Sequence, residues 1–524
     1  MLIKKIILAC LVLVIGLPYY TKAQTVFENT NAPIYGYLQR MAQKGVIEFN
    51  DLIQPVSRIK IQNALVTIES NKNSLTEVEK KELAFYKEEY PSPTPRYTSL
   101  RIIDKDFELH IDPLVGANRI QGKDIAVNQV SNGIQLWGQS KHWGFQMYYR
   151  DWTETGKGLQ SLDSINSFTE APARILVGLP TEKSHNYSEL SANISYSWDK
   201  GSISFGKMPT SWGYGEASNI VLSTKAPSFP SIRFDYEPNN WLAFNYQHAW
   251  LNSNVIDSVR SYTTNSDGVS GNQRIIFVPK FMAMHSITIR PVKGFDIALG
   301  ESIIYSDQVD PGFLIPVNIF KVYDNNRSNY VINAGSNGQI FMQLNSRNQI
   351  KNTHLYGSLF IDEIRISEVF NKAKARNQLG FTLGGSITDV FIPYLTTGIE
   401  YTRINPFVYQ NLLPAQNYTQ YGTVLGDWMG NNADRICLYA KYNPIAKLQL
   451  YARYQQIRKG NAGSVADQYL AEPQPQFLAS GYNNLSNLYL QAKYEWIHNL
   501  YLQGSMLYTN KNTVVQFGLS LGLR

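Results

Sequence analysis

From Phe107 to the C-terminus, apolar and polar residues alternate with period two. The pattern is clearest in the last ten residues, where Val515, Phe517, Leu519, Leu521 and Leu523 alternate with Gln516, Gly518, Ser520, Gly522 and Arg524. Successive residues of a β-strand point to opposite faces, so one face of this strand is apolar and the other is small or polar. The apolar face would cover a core in a soluble sheet and would face lipid in a membrane barrel.

The charged residues of the earlier strands favour the barrel. The same alternation recurs at 143–149, 379–383, 448–454, 488–496 and 500–508. Arg150, Arg453, Lys493 and Glu495 all fall on the face opposite the apolar one. A lysine or arginine facing lipid near the midplane costs about 2–4 kcal/mol, which explains such sorting. Several apolar faces also end in an aromatic residue, as a membrane interface favours.

Composition agrees with a membrane barrel. The chain has 34 Tyr, 23 Phe and 9 Trp, yet its mean hydropathy is negative, and only the N-terminus carries a long apolar run. Alternating lipid-facing and lumen-facing residues cancel in such an average. A large soluble β-protein would share this composition.

The connections fall into two length classes. Short turns are predicted at 141–142, 199–201, 443–444 and 510–512, and long loops at 153–187, 252–275, 307–350, 405–433 and 458–485. Outer-membrane barrels have short periplasmic turns and long extracellular loops. We therefore predict an all-β transmembrane barrel of 16–18 antiparallel strands over residues 97–524.

The first 23 residues have the layout of a cleaved secretory signal. Lys4 and Lys5 precede an apolar stretch at 6–17, and small residues at 21 and 23 leave Gln24 as the first mature residue. A lipoprotein cysteine at Cys10 is the alternative, although only four apolar residues separate it from Lys5. The chain is thus expected to be exported to the cell outer membrane.

Residues 24–96 differ from the rest and predict a small α-helical periplasmic module with a linker. Helical spacing or capping marks 33–45, 57–70 and 74–90, the last opened by a capping box at 74–77. Pro91, Pro93 and Pro95 then form a stiff connection. The module is either a plain packing domain or a binding surface.

Little in the sequence points to catalysis. Cys437 would be the single cysteine after cleavage, the seven histidines lack zinc spacing, and no Gly-x-Ser-x-Gly motif occurs. Loss of Lys4, Lys5 and Lys22 lowers the formal charge from +7 to +4, too weak to suggest nucleic acid binding. We predict no enzymatic activity, no metal and no cofactor. An outer-membrane enzyme would require Ser, His and Asp to meet at the rim.

Aromatic and planar polar side chains in the predicted lumen and loops suit sugars, which combine flat apolar faces with many hydroxyl groups. The candidates are Tyr148, Arg150, Trp212, Tyr214, Glu400 and Arg453. Such residues would equally well solvate a wide lumen, so a porin-like passive channel for small solutes remains the alternative.

Five sequence blocks, in order, resemble the Wzi capsule-assembly family. They are 205–234 (FGKMPTSWGYGEASNIVLSTKAPSFPSIRF), 285–306, 354–364 (HLYGSLFIDEI), 400–410 (EYTRINPFVYQ) and 425–435 (LGDWMGNNADR). The motif-matched positions are Trp212, Gly213, Gly215, Glu400, Asn432 and Asp434. The Asn- and Tyr-rich loops suggest a Bacteroidetes-like member.

The resemblance implies an 18-stranded outer-membrane barrel with periplasmic helices. Such proteins are lectin-like: they hold exported capsular polysaccharide at the cell surface, and a separate exporter translocates it. The expected partners are capsular or other surface polysaccharide, outer-membrane lipid and possible contacts with the capsule export machinery, with the chain itself a monomer. Asp434 joins the candidate polysaccharide contacts on this basis.

Overall fold

The structure, a computed structural model, describes residues 26–90, 100–104, 106–177, 180–263, 273–330, 335–364, 366–368, 370–371, 374, 376–462, 474–479, 481–510 and 512–522. The predicted signal at 1–23, the proline linker and Arg524 lie outside the described residues.

Eighteen antiparallel strands close into a barrel, which confirms the predicted fold class and the larger strand number. They are β1 Phe107–Gly122, β2 Ile125–Ser140, β3 Trp143–Lys157, β4 Ser184–Trp198, β5 Gly201–Met208, β6 Phe229–Asn239, β7 Leu242–Ile256, β8 Phe277–Val292, β9 Phe295–Ser306, β10 Asn337–Arg347, β11 Thr353–Ile364, β12 Asn377–Thr388, β13 Leu395–Ile404, β14 Ala433–Ile445, β15 Leu448–Gly460, β16 Tyr482–Ile497, β17 Leu500–Thr509 and β18 Thr513–Leu521. Each strand pairs with the next, and β18 pairs with β1 to close the wall. A further short strand, Leu100–Asp104, pairs with the lower end of β1.

The two faces of the wall have the predicted character. On β18, Phe517 and Leu519 are 65% and 44% exposed on the outside. On the inside, Arg150 of β3 and Arg453 of β15 are buried. A closed barrel satisfies all its backbone hydrogen bonds between strands, so its apolar belt can face lipid directly. The outward face is therefore the surface that the outer membrane covers.

Five described helices accompany the barrel. They are α1 Ile34–Gln43, α2 Arg58–Ser70, α3 Glu77–Glu89, α4 Leu159–Ser167 and α5 Phe320–Tyr330. The first three form the N-terminal module around a core that includes Leu38, Leu65 and Leu83. Helix α4 lies in a long loop at the opposite end, and α5, in the loop between β9 and β10, packs through Phe320 against Tyr246 and His285 of the wall. Every helix in the described part of the chain is too short or too polar to cross a membrane.

Three local predictions need correction. The capping box of α3 is formed by Thr76 and Glu79, not at 74–77, because the Thr76 side chain accepts from the Glu79 backbone N–H. The turn predicted at 443–444 lies inside β14, and the chain reverses at 446–447. The loop predicted at 307–350 contains strand β10. Its outward residues Ile340, Met342 and Leu344 alternate with residues that point into the lumen, and two of these are glutamines.

The helical module fills the short-turn mouth of the barrel, which is the periplasmic end. Gln43 of α1 donates to the carbonyl oxygens of Asn352 (2.9 Å) and Ser386 (3.0 Å). Asp51 forms a buried ion pair with Arg347 of β10 at 2.8 Å. A two-residue strand, Ile53–Gln54, then pairs with Ser211–Trp212 inside the lumen. The module is thus joined to the barrel interior as well as to its rim.

A buried ion pair makes this docking sensitive to pH. Glu89 of α3 pairs with His498 in the β16–β17 turn, and Arg58 also contacts Glu89 at 2.9 Å. Burial opposes the charged form of His498, but Glu89 and Glu495 outweigh it and raise the pKa above its ordinary 6.5. Burial likewise opposes the charged Glu89, but His498 and Arg58 hold the pKa of that carboxyl below 4.5.

Docking is therefore expected to be tightest between about pH 4.5 and 6.5, where both groups are charged. The His498 contribution is complete below its unfolded pKa and is lost as the pH rises through its raised pKa. The Glu89 contribution is lost as the pH falls below 4.5. Limited proteolysis of the module in the detergent-solubilised full chain should be slower at about pH 5.5 than at about pH 8.5. His498→Gln should remove most of this difference, whereas the same change at His142, in another short turn, should preserve it.

Candidate functional site

The loop between β5 and β6, residues 209–228, turns into the lumen instead of covering the rim. Its backbone N–H at Gly213 donates to Leu52 of the helical module at 2.8 Å. Farther along, the Ser223 hydroxyl donates to the Gly426 carbonyl at 2.6 Å. Ile220, Val221 and Leu222 are fully buried. The segment crosses the barrel from wall to wall, and we call it the inner loop.

A second loop, residues 405–432 between β13 and β14, packs against the inner loop. The Tyr409 and Tyr418 hydroxyls donate to the carbonyls of Ile220 (2.7 Å) and Val221 (2.9 Å). Both tyrosine rings are completely buried next to Phe360. Together the two loops build an apolar core inside the barrel, and this core fills the half of the lumen that faces β7–β13.

Buried charges fasten both loops to the wall. Glu400 of β13 accepts from the backbone N–H of Glu216 at 2.7 Å and from the Tyr356 hydroxyl at 2.9 Å. Arg435 of β14 lies 3.4 Å from Glu400 and 2.8 Å from Asp427 of the second loop. Buried charges of this kind are tolerated because each has partners, and removing one partner leaves the others uncompensated.

The glycines of the Trp-Gly-Tyr-Gly block are needed for the inner loop to turn. Gly213 has a φ of +144°, and a Cβ there would lie 2.4 Å from the Asn219 side chain. At Gly215 a Cβ would lie 2.0 Å from the Ser218 carbonyl oxygen. The Asn219 side chain in turn accepts from the Gly215 N–H at 2.8 Å. This block therefore serves loop architecture.

The other half of the lumen contains a cavity of about 930 Å³. It is bounded mainly by β1–β5 and β14–β18, with a few residues of β10–β13, by the inner loop on one side and by the helical module below. Above it lies the β3–β4 loop with α4. That loop is held by Lys225 of the inner loop, whose ammonium donates to the carbonyls of Asn166, Thr169 and Ala171. Burial lowers the pKa of Lys225 to about 8.

Tyrosines and side-chain amides are prominent in the lining of the cavity. The tyrosines include Tyr148, Tyr187, Tyr214, Tyr451, Tyr489 and Tyr501. The amides include Gln135, Gln146, Gln449, Gln491, Gln503 and Gln516. Aromatic faces beside planar donors and acceptors match the mixed apolar and hydroxyl surfaces of a sugar ring. This surface differs from a simple hydrated pore because it is enclosed above and below.

The cavity brings together three of the seven candidate contacts, Tyr148, Tyr214 and Arg453. Arg453 is 4% exposed, pairs with Glu170 of the β3–β4 loop and lies over the Tyr489 ring at 5.5 Å. It therefore links the wall of the cavity to its cover.

The other four candidates are buried among their own partners. Arg150 donates to the Ser520 hydroxyl at 3.1 Å, and the Trp212 ring packs edge-on against Phe341. Glu400 holds the inner loop, as described above. Asp434 accepts from the Tyr401 hydroxyl at 3.0 Å and from Arg458 at 2.9 Å. The structure places these four outside the lining of the cavity.

Several residues that shape the site were not among the candidates predicted from the sequence. Glu170 and Lys225 hold the cover of the cavity, and Glu216 pairs with Lys441 at 2.6 Å on its wall. Isolated charges in polar loops look alike in a sequence, so Glu170 could not be singled out, whereas Glu216 and Lys225 lie within the block 205–234. Asp427 and Arg435 did lie within a motif block, and their pairing could have been suspected from it.

Comparison with known proteins agrees with this architecture. The family model described as capsule assembly protein Wzi matches residues 373–509, about a quarter of the chain. No curated protein matches the sequence. Among solved structures, an outer-membrane protein from Escherichia coli, Wzi, described as a carbohydrate-binding β-barrel involved in group 1 capsule assembly, shares 12% identity with a TM-score of 0.61. That match covers 96% of this chain and all of the other.

Two Pseudomonas aeruginosa barrels are also similar. OccK8 (OprE) shares 9% identity with a TM-score of 0.42 over 79% of this chain and 97% of its own. OprD shares 11% identity with a TM-score of 0.42 over 81% and 95%. The family model overlaps two of the sequence blocks, 400–410 and 425–435, and the fold of Wzi spans nearly the whole chain. The predicted resemblance is thus confirmed: residues 373–509 of this outer-membrane barrel match the model of the Wzi capsule assembly family, and the whole chain shares the fold of Wzi.

Proposed function

We propose that this protein is a lectin-like, non-enzymatic component of the outer membrane that binds an exported surface polysaccharide and organises its attachment to the cell. The observation that carries the proposal is the enclosed, tyrosine- and glutamine-rich cavity of about 930 Å³. Its volume is in the range of small-molecule sites and accommodates a few sugar units. The β3–β4 loop covers the cavity at the extracellular end, the side on which exported polysaccharide lies.

The competing proposal is a passive channel for small solutes. The buried core between the inner loop and the second loop opposes it, because an aqueous pore requires a continuous polar path. The helical module further narrows the periplasmic mouth. Purified full-length protein in planar bilayers should therefore show little conductance. Free conductance together with no polysaccharide binding would favour the channel.

The cellular experiment compares a deletion strain with a strain complemented by the full chain. Polysaccharide is fractionated into cell-attached and shed pools. Deletion is expected to shift polysaccharide from the attached to the shed pool without reducing the total, because synthesis and export are separate steps. An unchanged distribution would contradict the proposed function.

Within the cavity, Tyr148 of β3 is expected to contact the glycan directly, because its side chain lies in the lining. Loss of an aromatic platform worth about 1–1.5 kcal/mol weakens binding about tenfold. Tyr148→Ala should therefore lower the affinity for purified cell-surface polysaccharide by that factor in calorimetry. The adjacent Tyr149 points outward and donates to Asp151 at 2.5 Å, so Tyr149→Ala is a matched control that should leave affinity unchanged.

The same comparison applies to the other two cavity candidates. Tyr214→Phe keeps the ring and removes a hydroxyl, so it tests hydrogen bonding alone. Arg453→Lys keeps the charge but loses the planar fork, and it tests whether the guanidinium contacts sugar or only Glu170. Equal affinities for these variants and the unaltered chain would limit both residues to shaping the cavity.

A further inference from the structure

The barrel wall has a gap above two short strands. Strand β5 has 8 residues and β6 has 11, whereas the flanking β4 and β7 each have 15. Pairing with β5 begins at Ala192 of β4, and pairing with β6 ends at Ala249 of β7. The chain leaves the wall at this height because residues 209–228 enter the lumen as the inner loop. The upper edges of β4 and β7 therefore face each other without a continuous strand between them.

Other segments cover only part of the two edges. Leu176 forms an isolated bridge with Tyr187 of β4, and Tyr421 donates its N–H to the Asn252 carbonyl of β7 at 3.2 Å. The lining of the cavity includes Ile175 and Leu190, which are 47% and 43% exposed at the outer surface. The lining of the cavity thus reaches the upper edge of β4 at this gap, which we call the lateral opening.

A lysine stands at the edge of the lateral opening. Lys207 pairs in register with Ala192 and Pro230, on the outward-facing row that also contains Ile203 and Phe205. Its ammonium donates to the Leu190 carbonyl at 3.3 Å, and no carboxylate pairs with it among the described residues. Lys207 also belongs to the lining of the cavity. A lysine on a lipid-facing row is costly unless it reaches the interface or a ligand.

The height of Lys207 matches the headgroup level of the outer leaflet. Below it the outward side chains are apolar: Ile194, Ile203 and Phe205 are 49%, 44% and 54% exposed. Above it Leu190 is the last exposed apolar side chain on the outward row of β4, and the row then becomes polar, with the Ser188 hydroxyl donating to Asp151 at 2.5 Å. The apolar belt of β4 therefore ends two residues above the Ala192–Lys207 pair, close to the level where phosphate groups of surrounding lipids lie.

We propose that the lateral opening binds a phosphate-bearing glycolipid of the outer leaflet, with its acyl chains against Phe205 and Ile203, its phosphate at Lys207 and its sugars in the cavity. The proposal rests on the proposed sugar-binding function and names the form in which the glycan is held. The charge of Lys207 supplies the phosphate contact. The apolar row supplies the acyl contact, and the gap between the upper edges of β4 and β7 is the route by which one molecule would occupy both.

The test uses the full chain in detergent and three probes, measured by native mass spectrometry and calorimetry. Lipid A carries sugars, phosphates and acyl chains; phosphatidylglycerol carries a phosphate and acyl chains; soluble cell-surface polysaccharide carries sugars alone. Lipid A is expected to bind more tightly than phosphatidylglycerol. Lys207→Gln should weaken lipid A binding at least about tenfold, the effect of losing a charge-assisted contact. Lys207→Arg should retain it.

Lys200→Gln is the matched control, because Lys200 lies in the short periplasmic turn that leads into the same strand. It should leave lipid A binding unchanged. Folding of each variant is checked by the altered mobility of unheated barrels in detergent gels. Equal lipid A binding by Lys207→Gln and the unaltered chain, or equal affinity for the two lipids, overturns the proposal. If soluble polysaccharide still binds in that case, the proposed function stands; if it does not bind, both fail.

Discussion

Replacing Glu400 with alanine is expected to release the inner loop and open the lumen. The carboxylate accepts the backbone N–H groups of Glu216 and Ala217 and the Tyr356 hydroxyl, and it lies beside Arg435. Glu400 and Arg435 are almost completely buried. Removing one partner from such a set costs about 3–5 kcal/mol, because buried donors and a buried cation lose their acceptor.

The expected result for Glu400→Ala is a lower unfolding midpoint together with a marked rise in single-channel conductance. Glu400→Gln keeps one acceptor oxygen and should give a smaller change in both. Glu182→Ala, at an exposed position of the β3–β4 loop, is the control and should match the unaltered chain. An unchanged midpoint and an unchanged conductance for Glu400→Ala would show that the inner loop is held mainly by other contacts.

Trp212→Ala is expected to produce the second large effect. The Trp212 side chain is 1% exposed, and its ring packs against Phe341 across the lumen. Its backbone pairs with Ile53, so the residue also joins the helical module to the barrel interior. Truncating a buried tryptophan costs about 3–5 kcal/mol through lost burial and the cavity left behind.

We expect Trp212→Ala to lower the unfolding midpoint and to accelerate proteolysis between α1 and α2. Urea titration of the protein in detergent, followed by intrinsic fluorescence and gel mobility, measures the first effect. Trp241, 55% exposed in the β6–β7 turn, provides a matched control, and Trp241→Ala should change stability much less. A comparable loss for both variants would mean that general tryptophan content, not the core contact, sets the stability.

Both residues were first selected from the sequence as sugar contacts, and the structure gives each a supporting place behind the cavity. Glu400 and Trp212 lie in blocks that resemble the Wzi family. Such a resemblance does not show whether a residue contacts the ligand or supports the fold. In the barrel both residues hold the inner loop in place. The Trp212 ring packs against Phe341. The Glu400 carboxylate accepts hydrogen bonds from the backbone N–H groups of the loop at Glu216 and Ala217. The sugar-contact role remains a prediction that the binding comparisons above address through Tyr148, Tyr214 and Arg453.

The wall of the barrel could be predicted from local sequence patterns alone. Alternation with period two assigns each side chain to lipid or lumen, and the cost of a lipid-facing charge makes that assignment strict. This is why the strand faces at 143–149, 488–496 and 513–521 agree with the structure. Strand ends were less certain, as the turn misplaced at 443–444 demonstrates, because a proline after asparagine signals a reversal as readily as an irregular strand end.

The segments that occupy the lumen are held by contacts between residues far apart in the chain, and these are seen only in the folded protein. Glu216 and Glu400 are 184 residues apart, and Asp51 and Arg347 are 296 apart. No local pattern encodes such contacts, because a loop that enters a barrel and a loop that covers it have the same polar, glycine-containing composition. The alternation that defines the wall was the clearest feature of the sequence. The cavity, its cover and the lateral opening depend instead on where the inner loop and the second loop cross the lumen.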